Sequence, residues 1–129
     1  MKKILVCEDE ASIRSFVVVN LRRAGYTVVE AACGEEALTR AQTDGDIAVA
    51  LLDVMMPGID GFEVIRRLRA DPATADIRIV ILSALNSNED VVKGFNLGAN
   101  DFIMKPIIME KLLSCVVTQL QLVEAKGAK

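Results

Sequence analysis

The chain has 129 residues, 52% hydrophobic and 26% charged, with three prolines and a formal net charge of -3. That size suits one domain with its own core, and the acidic balance argues against direct contact with nucleic acid, which needs clustered Lys and Arg. The absence of histidine excludes Ser-His and Cys-His nucleophile pairs and histidine-based metal sites together, leaving carboxylates, hydroxyls and lysine to carry any chemistry.

Short apolar runs alternate with amphipathic stretches five times, the pattern of strand-helix units around a parallel sheet. The basic start Met1-Lys2-Lys3 leads into a first strand over Lys3–Cys7, and the apolar stretch meets Glu8-Asp9-Glu10 too soon for a secretion signal. The first helix is predicted from Ala11 to Ala24, ending at Gly25, a residue suited to the left-handed position after a helix. A second strand over Thr27–Ala31 precedes a helix over Glu35–Gln42, and a third strand, Ile47–Leu52, runs into Asp53. Asp60-Gly61-Phe62-Glu63 predicts an N-cap with Glu at N3, opening a helix that stops near Asp71-Pro72. A fourth strand spans Arg78–Leu82. The fourth helix starts near Ser87 or Asn88, with Glu89 and Asp90 in its positive first turn, and ends at Gly98. The fifth strand, Asp101–Met104, is followed by a helix from just after Pro106 to about Val123. Ile47–Leu52 and Ile79–Leu82 are continuously apolar, as expected for strands covered by helices on both faces. No run is long enough to cross a bilayer, so a cytoplasmic location is expected. Cys7, Cys33 and Cys115 form no C-x-x-C pattern and are expected to be reduced packing residues.

The acids are placed for function. In an open parallel sheet the carboxyl ends of the strands share one edge, where ligands bind. Glu8 and Asp9 follow the first strand, Asp53 ends the third, and Lys105-Pro106 follow the fifth. Several like charges brought that close resist ionising together unless a cation joins them. A hard ion that takes oxygen ligands, Mg²⁺, answers that arrangement. Glu10 is better read as an acid at a helix start.

Glu8-Asp9, Asp53 with Met56-Pro57-Gly58 and Asp60-Gly61, Ser83-Ala84 and Lys105-Pro106 together resemble the receiver (CheY-like) domain of two-component response regulators. The resemblance implies a flavodoxin-like, doubly wound five-stranded parallel α/β sheet, order 2-1-3-4-5, with five helices. It implies a receiver domain over residues 1–124, with 125–129 a tail or the start of a linker. It implies that Asp53 accepts a phosphoryl group from a histidine kinase or histidine phosphotransfer protein, forming an acyl phosphate. Glu8, Asp9, Asp53 and the backbone carbonyl of Met55 would hold Mg²⁺, and Lys105 would pair with a phosphoryl oxygen. Such a domain promotes only its own phosphorylation and dephosphorylation and is not otherwise an enzyme. The Lys105-Pro106 bond is expected to be cis. Ser83 and Phe102 match the switch positions, which would shift the surface of the fourth helix, fifth strand and fifth helix toward a downstream target, effector domain or second copy. Met55 and Leu85 would flank the path of attacking water, and their apolar character implies slow self-dephosphorylation.

The chain departs from the family pattern in several places. Phe102 stands where tyrosine is commoner and so lacks the hydroxyl. Ile107-Ile108-Met109 follow Lys105-Pro106 in place of an aromatic and a capping residue, and are a candidate contact surface. Cys115 and Val117 stand near positions where receivers joined to winged-helix domains often carry arginines. With Ala70-Asp71-Pro72-Ala73-Thr74-Ala75, which resembles the longer loop of other regulators, this suggests a stand-alone or non-winged-helix regulator. A flavodoxin or nucleotide-binding reading fails on Glu8-Asp9-Glu10, which would repel phosphate. A phosphatase reading lacks a second acid at Met55. The remaining alternative is a receiver-like interaction module that is not phosphorylated.

Overall fold

The computed structural model describes residues 1–84 and 87–127, with side chains as far as Ala125. Its elements are β1 (Lys3–Cys7), α1 (Ala11–Arg23), β2 (Thr27–Ala31), α2 (Gly34–Thr43), β3 (Ile47–Asp53), α3 (Gly61–Ala70), β4 (Arg78–Ser83), α4 (Asn88–Leu97), β5 (Asp101–Met104) and α5 (Met109–Gly127). The strands are all parallel, in the order β2-β1-β3-β4-β5. Element types and order match the sequence reading throughout.

The sheet divides the core in two because successive side chains of a strand point to opposite faces. Leu5, Cys7, Ala50, Leu52, Ile79 and Ile81 pack toward α2 and α3, while Ile4, Val6, Val49, Leu51, Val80 and Leu82 pack toward α1 and α5. Central β3 is buried along its whole length, which accounts for its unbroken apolar run. At about 25 cal/mol per Å² of apolar surface, these two layers supply the main drive for folding.

Local signals set the helix ends. Asp60 accepts from the Glu63 N–H at 2.9 Å, capping α3. Only half of the expected capping box forms, because the Glu63 carboxylate pairs with Arg66 and Arg67 one turn further on. Ser87 caps α4, its Oγ accepting from the Asp90 N–H at 3.2 Å, and Gly25 takes the left-handed conformation after α1 with φ 97°. β3 and β4 each run one residue beyond the expected end, since the ladder continues through the pairs Asp53–Leu82 and Ser83–Met104. α2 is one residue longer at each end than expected. α5 starts later than expected, with Ile107 and Ile108 left outside it, and runs on past Val123 to Gly127. Glu124, Ala125 and Lys126 are strong helix formers and extend the helix beyond its apolar pattern.

Close contacts hold α3 at both of its ends. A Cβ on Gly61 would lie 2.7 Å from Val54 Cα and closer still to the Asp53 carbonyl oxygen, so glycine lets α3 begin directly against the end of β3. From the last turn of α3, Arg69 donates to the carbonyls of Ala75 at 2.8 Å, Ile77 at 2.6 Å and Gly98 at 2.8 Å, and to Asn100 Oδ1 at 2.9 Å. This single side chain ties α3, the following loop and the C-terminal end of α4 together. Elsewhere α4 is lightly held: Gly94 is its one buried residue.

Candidate functional site

Register brings the candidate residues to one edge. Cys7 lies beside Leu52, Asp53 beside Leu82 and Ser83 beside Met104, so Glu8, Asp53, Ser83 and Lys105 emerge from four adjacent strands. Glu8 is 1% exposed, Asp53 4% and Ser83 0%, whereas Asp9 faces solvent. One carboxylate oxygen from each of Glu8, Asp9 and Asp53 can be chosen so that all three lie within 4.8 Å of one another.

Lys105 bridges the two buried acids. Its Nζ donates to Glu8 Oε2 at 2.8 Å and to Asp53 Oδ2 at 3.2 Å. The backbone aims the side chain: the Lys105 N–H donates to the Ser83 carbonyl at 2.8 Å, and the Lys105-Pro106 bond is cis, as expected. The second oxygen of each acid is also held. Glu8 Oε1 accepts from the Glu10 N–H at 3.2 Å, and Asp53 Oδ1 accepts from the Met55 N–H at 3.2 Å. Burial pushes the Glu8 carboxyl above its ordinary value and the charge of Asp53 adds to this, while Lys105 opposes it. Burial alone would lower Lys105, but its hydrogen bond to Glu8 and the charges of Asp53 and Glu8 outweigh that and raise it.

The arrangement offers a nearly buried carboxylate whose surroundings favour a cation. Three carboxylates within ligand distance, with oxygen the only donor type, fit a hard divalent ion that keeps several waters. Met55, whose carbonyl was the fourth expected ligand, is 61% exposed at the rim. Phe102 lies in β5 beside Ile81, half-buried and packed against the core layer of α2 and α3. Leu85, the expected apolar partner of Met55, lies outside the described residues. Of the candidate contact residues, Ile108 is 51% exposed, while Ile107 and Met109 pack against the α1–α5 layer. Beside Lys105 opens an apolar hollow of about 220 Å³ lined by Ile13, Phe16, Pro106 and Ile107.

Sequence reasoning passed over Arg14. Its Nη1 donates to the Glu8 carbonyl at 2.7 Å, directly behind the acid pair. A signal existed: Arg14, Val17, Val18 and Leu21 fall on one helical stripe, and a charge on an otherwise buried stripe calls for a partner.

A doubly wound parallel sheet with a carboxylate, a lysine and two further acids at its ligand-binding edge defines a class of α/β fold whose site gathers acids around one cation. The model of the response regulator receiver domain matches residues 4–117. The chain is 40% identical over 117 residues to the DNA-binding dual master transcriptional regulator RpaA of Synechocystis sp., covering 90% of this chain and 48% of that protein. Among solved structures, a CheY-like receiver domain protein of Methanospirillum hungatei superposes with TM-score 0.92 at 27% identity, covering 98% of this chain and 99% of that one. Chemotaxis protein CheY4 of Vibrio cholerae superposes with TM-score 0.86 at 36% identity, covering 92% and 98%. The chain therefore belongs to the response regulator receiver family, the phosphoacceptor modules of phosphorelay signalling. It spans about half the length of the curated relatives it matches. Among the described residues no helix is long and apolar enough to cross a membrane.

Proposed function

We propose that the chain accepts a phosphoryl group on Asp53 from a phosphohistidine of a histidine kinase or phosphotransfer protein. The observation that carries this reading is the Asp53 carboxylate, 4% exposed at an open sheet edge and hydrogen-bonded by Lys105 and the Met55 N–H. Attack by its oxygen on phosphorus forms an acyl phosphate as the P–N bond breaks, and the donor imidazole leaves with a proton. Lys105, already between Glu8 and Asp53, would turn to an oxygen of the incoming group. Mg²⁺ held by Glu8, Asp9, Asp53 and the Met55 carbonyl would neutralise charge on the phosphoryl oxygens. The apolar hollow beside Lys105 suits a protein donor that must be oriented as well as bound.

Ser83, buried one strand away from Asp53, is the proposed sensor of the phosphoryl group, and Phe102 the side chain that repacks with it. The affected surface, formed by α4, β5 and α5, carries exposed Phe95, Met104 and Val117 for a downstream target, an effector domain or a second copy. This chain makes no direct nucleic-acid contact in the proposal, in keeping with its net charge of -3. It works in the cytoplasm, with residues 1–124 as the receiver and 125–129 as tail or linker, and it has no substrate beyond its own aspartate.

Intact-protein mass spectrometry after incubation with acetyl phosphate tests the reading. A gain of one phosphoryl group is expected, dependent on Mg²⁺ and abolished by Asp53→Asn. No gain from acetyl phosphate or from a phosphorylated histidine-kinase donor would leave the unphosphorylated interaction module.

A further inference from the structure

The turn from β1 into α1 carries both Glu8 and Asp9, yet the cap residue of α1, Glu10, makes no side-chain capping bond. Its shape is held from within by the Glu10 N–H donating to Glu8 Oε1 at 3.2 Å, and from outside by its neighbours. The Glu8 backbone is fixed on both sides of its Cα: its N–H donates to the Ala31 carbonyl at 3.1 Å, and its C=O accepts from Arg14 Nη1 at 2.7 Å. Arg14 is braced in turn, with Nε 3.6 Å from Glu30 Oε1 and a side chain only 21% exposed. The other oxygen of Glu30 lies 3.6 Å from Arg22 Nη2. A planar guanidinium that contacts a carbonyl on one side and a carboxylate on the other holds its orientation better than an ammonium can.

We propose that Arg14 is a positioning residue for the metal-binding acids. By anchoring the Glu8 carbonyl it fixes the peptide plane joining Glu8 to Asp9, and so the direction in which exposed Asp9 presents its carboxylate toward Glu8 and Asp53. The inference rests on the reading of these acids as a Mg²⁺ site. Two effects of Arg14 oppose each other. Its positive charge near the acids disfavours a divalent cation, so loss of charge alone would tighten Mg²⁺ binding. Loss of the anchor would loosen it, because outer-shell groups that orient ligands typically carry about 10- to 100-fold in metal affinity. The sign of the change therefore separates positioning from charge.

The experiment is Mg²⁺ titration calorimetry on the full chain, alongside thermal unfolding in EDTA, for wild type, Arg14→Met, Arg14→Lys and Asp9→Asn. Arg14→Met is expected to bind Mg²⁺ about 10-fold more weakly, and Arg14→Lys, which keeps the charge but not the fork, to bind more weakly than wild type as well. Unchanged or tighter binding by Arg14→Met would overturn the proposal, even with a lowered melting temperature, since that is the behaviour of a plain structural brace. If Arg14→Met does not fold, Arg14→Lys decides: wild-type affinity refutes positioning and weaker affinity supports it. Failure of wild type itself to bind Mg²⁺, with Asp9→Asn no different, would remove the metal site and this inference with it. Wild-type binding that depends on Asp9 but not on Arg14 would remove the inference alone.

Discussion

Replacing Lys105 with methionine leaves Glu8 and Asp53 facing each other without their shared cation. At the observed separations of 2.8 Å and 3.2 Å, an effective dielectric of about 20 gives attractions of about 6 and about 5 kcal/mol. Most of this is offset in wild type by the cost of taking three charges out of water, and Lys105 keeps partial contact with solvent. In the variant, Glu8 can also escape by taking a proton, since burial already pushes its carboxyl upward. The expected net loss is therefore about 3 kcal/mol, the lower end of the range for removing one partner of a buried pair. Urea unfolding in EDTA at pH 7 measures it. Adding Mg²⁺ should then return more stability to Lys105→Met than to wild type, because no ammonium competes with the ion; saturation at about 100 times Kd contributes about 2.7 kcal/mol. Equal stability of the two proteins in EDTA, or equal gains from Mg²⁺, would refute this account of the site.

The Glu63 carboxyl is held down to about 2 by hydrogen bonds from Arg66 and then Arg67. Its folded value lies below its unfolded value of 4.5, so its contribution is present above that pH and fades as pH falls toward 2. Glu63→Gln should have a lower urea midpoint at pH 7 and converge with wild type across that window. Burial pushes the Cys7 thiol up to about 12, and burial with the Asp101 carboxylate does the same to Cys115. At pH 8 such thiols are ionised in only about 1 molecule in 10,000. Iodoacetamide should therefore label half-buried Cys33 first, reaching the other two only on unfolding; mass spectrometry of peptides reads the order. Once phosphorylated, Met55→Glu should lose its label roughly 10-fold faster, less than the ~100-fold of a well-placed base, as followed by intact mass over time.

The three inner strands were legible because burial on both faces forces an apolar run, and all five strands ended within a residue of their expected limits. The convergence of Glu8, Asp9, Asp53 and Lys105 was legible for a topological reason: parallel strands send all their carboxyl ends to one edge. Contacts set by side-chain reach were not. Nothing in the spacing indicated that Lys105 would bond Glu8 more closely than Asp53, or that the Met55 N–H would turn back to Asp53 Oδ1. The Arg14 anchor crosses from α1 to the preceding turn, and a helical pattern gives it only as a charge on the wrong stripe. The last turn of α5 was missed because burial pattern and helix propensity part company after Val123.

The bonds that Arg69 makes to Gly98 and Asn100, with Leu97 packed against the core beside them, fix one end of α4, and further along the helix Gly94 is the one buried residue. A helix of ten residues is about 15 Å long, so a tilt of about 10° about its pinned end carries the other end through about 2.6 Å. The pinned end is the one remote from Ser83. Geometrically α4 is a lever whose fulcrum is a guanidinium, and a change at the strand ends acts on its free end, where the swing is widest. Loosening the fulcrum, as Arg69→Met would do, should blur the direction of that swing while leaving the phosphoacceptor chemistry in place.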